Sequence, residues 1–396
     1  MDNVELKNKF VDIYGGSVEG LRVFSSPGRV NIIGEHTDYN GGYVFPAAIN
    51  LNSTIILRER DDRIIKLAAT DLPDRVVALL DSLDGYKSLK WGNYQLGVAD
   101  ELQKAGYNLV GCEMLFHDTV PLGAGLSSSA AIEVATAVAL VTIGNEKANI
   151  LTDIDMVQIA IIAQKAENLY VGVNCGIMDQ FISAVGKKDN AIILNCRDLS
   201  YRHVPIEIEG YKIVIANTNK KRSLGESKYN ERRAECESGL ASLKVNLPDA
   251  DFLGQITMEE YEANKYLIKD DVIRKRVEHI IAEDDRVLKA VVALTHNEIA
   301  EFGRLMIASH NSLRDLYEVT GVELDTLVVE SLKHEGVIGS RMTGAGFGGC
   351  TVSIVKNELI GQFIENVGKS YEQKIGYKPT FYVCNISDGG REIRSS

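Results

Sequence analysis

The chain has 396 residues, 45% hydrophobic and 25% charged, an ordinary globular composition whose length favours two domains over one. Its formal net charge of −12 argues against a nucleic-acid or anionic-membrane surface. Six scattered cysteines with no CxxC pair read as free thiols in a reducing compartment, and exclude a zinc site or a disulfide framework. The start, MDNVELKNKF, lacks a signal-peptide pattern. The longest apolar run, residues 130–143, contains Glu133 and is too short to span a bilayer. A soluble, cytoplasmic protein is expected.

Residues 6–14 carry the spacing of a short amphipathic helix, stopped by Gly15 and Gly16. Arg22 opens a strand leading into residues 25–50, where Asn40-Gly41-Gly42 is a hairpin signal between two apolar runs. Strand-like alternation continues over residues 53–70. Beyond Trp91, NYQLGVADELQKAG reads as a helix ended by Gly106, and residues 111–119 as a strand. Two helices follow, one from near Ser128 and one over residues 155–170, where Val157, Ala160, Ile161 and Leu169 keep close to a 3.6-residue period. VNCGIMDQFISAVG is a short helix and AIILNC a strand. YKIVIANT, residues 211–218, lies at a domain junction, dividing the chain into 1–205 and 206–396. Charged helices then cover residues 227–243, 258–262, 272–293 and 299–317, before the strands CTVSIV and TFYVCN, which flank a last helix.

The organising stretch is VPLGAGLSSSAAIEVATAVAL, with Gly123, Ala124, Gly125, Leu126, Ser127, Ser128 and Ser129 at its turn. Gly123 and Gly125 permit close approaches that a Cβ forbids, and the serines supply N-caps or hydroxyl ligands where a helix begins. Free N–H groups at a helix N-terminus suit a phosphate, although a Ser-capped buried helix fits the same residues. In GRVNIIGEHTDYNGG, Arg29, Glu35, His36 and Asp38 crowd a Gly-flanked loop. Two carboxylates and an imidazole can accept hydrogen bonds from several hydroxyls, which suits a sugar better than a metal. Glu167, on a largely apolar helix, either reaches inward or stays exposed. Asp179, behind Gly176, is either a cap or a chemical group.

Two look-alikes fail. Gly368-Lys369-Ser370 lacks the first glycine of a Walker A loop, because residue 363 is Phe. Gly344, Gly346 and Gly349 fit G-x-G-x-x-G, but a strand follows, so they mark a tight backbone passage and no dinucleotide fold.

GRVNIIGEHTDYNGG, PLGAGLSSSAA, CGIMDQ, the YNERRAEC helix and RMTGAGFGGC, in this order, resemble the galactokinase family of the GHMP small-molecule kinase superfamily. The resemblance runs from about residue 25 to about residue 385. The glycine–serine loop and GAGFGG mark the superfamily, whereas GRVNIIGEHTDYNGG is specific to the family. The resemblance implies a two-domain α/β fold. Its N-terminal α/β domain carries the sugar loop, phosphate loop and catalytic Asp, its C-terminal domain is ferredoxin-like, and the active site lies between them. It implies ATP-dependent phosphorylation of the C1 hydroxyl of D-galactose. The glycine–serine loop would wrap the ATP phosphates, and Ser129 and Glu167 would hold Mg²⁺. Glu35, His36, Asp38 and Tyr229 would bind galactose hydroxyls, with Thr37 in the same loop and Gly176 lining the pocket. Asp179 would take the proton, Arg29 would stabilise charge beside it, and Trp91 would lie near the adenine. Galactose and ATP are the expected partners of a monomer, with no nucleic acid and no membrane. Two rivals are a kinase for another sugar, such as N-acetylgalactosamine, and a galactokinase-like sensor without turnover. The intact GLSSSAA, with Asp179 and Arg29, favours the enzyme.

Overall fold

The computed structural model describes residues 1–89, 91–220 and 225–394. The chain begins with helix α1 (Asn3–Tyr14), strands β1 (Arg22–Asn31), β2 (Tyr43–Val44), β3 (Pro46–Glu59), β4 (Ile64–Ala69) and β5 (Val76–Leu79), helix α2 (Asn93–Lys104) and strand β6 (Cys112–Asp118). Helices α3 (Ser128–Lys147), α4 (Met156–Lys165) and α5 (Met178–Val185) lead to strands β7 (Asn190–Asn195), β8 (Tyr201–Pro205) and β9 (Tyr211–Asn217). Helices α6 (Gly225–Leu243), α7 (Met258–Asn264), α8 (Asp271–Thr295), α9 (Ile299–Ser312) and α10 (Gly321–Leu332) follow. The last described elements are β10 (Val337–Thr343), β11 (Cys350–Lys356), α11 (Ile360–Ile375), β12 (Thr380–Cys384) and β13 (Arg391–Glu392).

A six-stranded sheet in the order β13-β1-β3-β6-β4-β5 forms the first layer. Successive strand residues face opposite sides. Phe24, Ile55, Leu57 and Leu67 therefore meet α2 to α5, while Val23, Ile56, Ala68 and Leu115 meet Leu6 and Phe10 of α1. A four-stranded antiparallel sheet, β10-β11-β9-β12, forms the second half. Its central strands are the first and third in sequence, with α11 crossing from third to fourth, which is the ferredoxin-like order. A third small sheet, β2-β7-β8, ties the loop after β1 to the chain after α5. The two halves share a core: Val30, Ile32, Phe45 and Ala47 pack with Ile213, Ile215, Val287 and Val352.

Several elements depart from the sequence expectations. Asn40 and Gly41 sit in a 3₁₀ turn inside the long connection that joins β1 to β3, and do not form a tight hairpin between them. β5, β8, α10, β10 and β13 are additional elements. β13 pairs Phe24 with Glu392 and Ser25 with Arg391, so a proposed boundary at 205/206 must allow the chain to return to the first sheet. The helix that holds the apolar run, α3, has 20 residues and is long and apolar enough to cross a bilayer by length and composition alone. Most of α3 is buried in the core against the first sheet. Residues 221–224, just before the expected charged helix, lie outside the described residues.

Candidate active site

A cleft of about 790 Å³ lies where the two halves meet. Arg29, Glu35, His36, Asp38, Gly123, Glu167, Gly176, Asp179 and Tyr229 all line it, together with the turn of residues 344–347. β1 delivers Arg29, and the connection after it carries residues 35–38. A π-turn after α4 (Ala166–Val171) carries Glu167, and α5 carries Asp179 in its first turn.

Arg29 is 4% exposed and grips Asp179 with two parallel bonds, Nε to Oδ1 at 2.9 Å and Nη2 to Oδ2 at 3.0 Å. Its Nη1 donates to the Gly125 carbonyl at 2.6 Å, so one guanidinium joins β1, the phosphate-type turn and α5. Ser127, in a left-handed conformation (φ 62°), makes no side-chain cap to α3. Its hydroxyl donates instead to Asp179 Oδ2 at 2.5 Å, so of the two roles open to this serine capping is not the one it takes. Asp179 likewise makes no cap; its oxygens are held by Arg29 and Ser127.

The loop after β1 is fixed from behind by the C-terminal half. Buried Glu35 accepts from Asn31 and from Gly344 N (2.7 Å), and lies 3.4 Å from Arg341. Burial pushes its carboxyl up, while Arg341 and Arg29 oppose the rise. Glu283 of α8, fully buried, accepts from Gly34 N (3.0 Å), Ser309 (2.5 Å) and Arg286 (2.7 Å). His36 has φ 66° and a buried ring whose pKa burial lowers to about 3, so it is neutral. Asp38 is pushed up to about 7, first by burial and then by the charge of Asp179. Gly176 packs directly on Asp38: a Cβ there would stand 1.8 Å from Oδ2. Tyr229 lies against His36 and Tyr39, with ring centres 5.7 and 5.3 Å away.

Thr37 requires a correction. It is fully buried, and its hydroxyl is committed to the Gly34 and Tyr43 carbonyls (2.9 and 2.6 Å), so it shapes the loop from outside the cleft lining. Ala124 and Leu126 turn their side chains into the core, leaving only their backbone to face a ligand. Trp91 packs beside the core of the first half and does not line this cleft.

Beyond Gly123, Ser129 of α3 stands 3.5 Å from Glu167 Oε2. Gln180 bridges Glu167 and Glu133 (2.7 and 3.0 Å), and Glu133 Oε1 has no partner. Glu133 is raised well above its usual range by burial and by Glu167, and Glu167 is pushed to about 7 by burial and then by Asp179. Among the described residues no three His, Cys, Asp or Glu side chains form a metal cluster. Two facing carboxylates and a hydroxyl still suit an ion that takes its other ligands from phosphate and water. Glu133, Tyr39, Tyr317, Glu283 and Arg341 went unassigned in the sequence. Tyr39 and Arg341 lie inside quoted motifs and Glu133 is a lone acid in an Ala-rich apolar stretch, but nothing in the segments of Tyr317 and Glu283 marked them.

The turn of residues 344–347 closes the cleft. Gly344 (φ 87°) lies against the glycine–serine turn, where a Cβ would stand 2.8 Å from the Gly125 carbonyl. The tight passage implied by these glycines is therefore contact with both the first half and the cleft.

Three family models match the chain: the galactokinase galactose-binding signature over residues 8–59, the GHMP kinases N terminal domain over 93–187, and the GHMP kinases C terminal over 290–373. The galactokinase of Clostridium acetobutylicum is 50% identical over 393 residues, covering 98% of each chain. That of Bacillus subtilis is 45% identical over 393 residues, covering 98% of this chain and 99% of its own. The crystal structure of Lactococcus lactis galactokinase complexed with galactose superposes with a TM-score of 0.93 at 42% identity, covering 98% of this chain and 99% of that one. Methanococcus jannaschii mevalonate kinase, at 20% identity and a TM-score of 0.66 over 93% of this chain and 99% of that one, shares the fold. With this coverage and identity to galactokinases from end to end, the chain belongs to the galactokinase family, within the GHMP kinases.

Proposed function

We infer that this chain transfers the γ-phosphoryl group of ATP to the C1 hydroxyl of D-galactose, giving galactose 1-phosphate and ADP, as the first committed kinase step of galactose catabolism. ATP use goes with the family. The observation that carries the reading is Arg29, which holds Asp179 with one edge of its guanidinium and the glycine–serine turn with the other. The group that receives a proton is thereby fixed against the loop that holds phosphate.

In this reading residues 123–129 wrap the triphosphate through backbone N–H groups at the start of α3. Glu35, His36, Asp38 and Tyr229 hold the sugar, and Gly176 leaves Asp38 room to reach it. Asp179 accepts the C1 hydroxyl proton at a carboxylate oxygen, a contribution of about 10²–10⁴-fold. Arg29 keeps that carboxylate aimed and offsets charge as the proton moves. Ser129 and Glu167 would hold Mg²⁺, with the unpartnered Glu133 oxygen behind them. Bound there, the ion neutralises the charge of the transferred group. Two neighbouring buried carboxylates with raised pKa values fit such an ion, because a cation relieves both.

Free thiols at all six cysteines support a reducing, cytoplasmic setting, and burial of α3 supports its role as a core helix and not an anchor. A coupled ATP-consumption assay with galactose, glucose, N-acetylgalactosamine and no sugar tests the function. Sustained consumption with galactose alone is the expected result. Silence with all four would leave a sugar-binding protein without turnover.

A further inference from the structure

Tyr39, in the cleft wall, and the buried Tyr317 and Cys236 behind it have no part in the chemistry above, yet they connect to it. His36 Nδ1 lies 2.8 Å from the Tyr39 hydroxyl, which lies 2.8 Å from the Tyr317 hydroxyl, which lies 3.2 Å from Cys236 Sγ. Tyr317 is firmly placed. Its ring sits between His36 and His279, with centres 4.7 and 4.6 Å away. The carbonyls of its π-turn are taken by Arg232 (2.8 Å) and Arg276 (2.5 Å).

Each of these hydroxyls, and the thiol, has a single proton to give, so the chain runs in one direction or the other. If His36 Nδ1 carried the proton, donation would run outward. Cys236 would then accept from Tyr317, and its own S–H would go unused in this relay. In the opposite sense Cys236 donates to Tyr317, Tyr317 to Tyr39, and Tyr39 to the Nδ1 lone pair, and every donor is used. A neutral ring with a lone pair on Nδ1 carries its proton on Nε2. Nε2 is buried, has no hydrogen-bond partner among the described residues, and belongs to a ring that lines the cleft.

We propose that Cys236, Tyr317 and Tyr39 form a polarised relay that fixes His36 as its Nε2–H tautomer, so that His36 meets the sugar as a hydrogen-bond donor. Tyr39, Tyr317 and Cys236 are positioning residues. The neighbouring carboxylates Glu35 and Asp38 accept, so a hydroxyl placed between them and His36 is oriented at both its oxygen and its proton. A sugar oxygen is thereby read for both abilities at once. The kinetic part rests on the sugar site inferred above, whereas the tautomer does not.

Long-range ¹H–¹⁵N NMR of His36 in the ligand-free protein, assigned by its loss in His36→Asn, reads the tautomer directly. The native protein shows Nε2–H. Tyr317→Phe, which keeps the ring and removes the hydroxyl, shows a mixture, as does the gentler Cys236→Ala. Cys236→Ser keeps a donor and an acceptor and restores Nε2–H. The galactose KM rises about tenfold in Tyr317→Phe, the scale of one lost hydrogen bond, while kcat and the ATP KM hold. An Nδ1–H signal in the native protein overturns the relay. A native tautomer in both Tyr317→Phe and Cys236→Ala does the same, whatever happens to KM. The expected tautomers in a protein with no galactose-dependent ATP use would support the relay and count against the kinase reading alone.

Discussion

Asp179 receives two bonds from Arg29 and one from Ser127, so its place in the cleft is set by its neighbours and not by its own helix. Asp179→Asn keeps the shape and removes the base. It is expected to fold and to bind galactose and ATP near-normally while turnover falls about 10²–10⁴-fold, read by calorimetry beside steady-state rates. Ser129→Ala chiefly raises the Mg²⁺ concentration needed for half-maximal rate, and an unchanged metal titration would remove Ser129 from that role. Asp38 gives a pH signature. Its pKa is raised to about 7 in the ligand-free cleft, so it keeps its proton until pH rises through that value. It accepts sugar hydroxyls best when ionised. The galactose KM should therefore fall about tenfold from pH 6 to pH 8 and then level off, with the ATP KM as control. Asp38→Asn should flatten that profile, and the same slope in both proteins would assign the titration elsewhere.

Glycines at the joins between elements separate the two substrates. A Cβ at Gly176 collides with Asp38, and one at Gly344 collides with the Gly125 carbonyl from a left-handed backbone. Gly176→Ala is expected to raise the galactose KM, and Gly344→Ala the ATP KM, each by about tenfold or more from strain of this kind. Equal effects on both substrates in both variants would show general loosening. Elements were legible in the sequence where burial follows a simple period. α2 ends at a left-handed Gly106, and β9 buries Ile213, Val214, Ile215 and Ala216 in a row. β8 was hidden because Val204 alone is buried in it, and β10 because it buries Ser340 and Arg341 where a strand signal expects apolar residues. At the site, GEHTDYNGG and the serine turn were legible as dense local motifs. Glu283 and Tyr317 were not, because each acts on a loop more than two hundred residues away and nothing in its own segment marks it; Arg341 opens the quoted RMTGAGFGGC, but that motif carries no sign of the distant loop it holds.

The two halves form one folding unit. Ile213, Ile215, Val287 and Val352 complete a core begun by Val30, Ile32 and Phe45, so neither half covers its apolar surface alone. Residues 206–396 produced as a separate fragment should remain unfolded by circular dichroism. The full chain should melt in one transition, raised by about 2.7 kcal/mol at a galactose concentration 100 times Kd. A fragment with a cooperative melt of its own would show that the shared core is dispensable.

The pairing of β13 with β1 has a consequence for biosynthesis. β1 leaves the ribosome early, but the strand that pairs with Phe24 and Ser25 on its outer edge is not made until residue 391. At ordinary translation speeds of about 5–20 residues per second, that edge stays open for roughly 20–70 s. An uncovered strand edge is a template for pairing with other chains, so the nascent protein is most prone to aggregate during this interval, before the enzyme can act on any substrate.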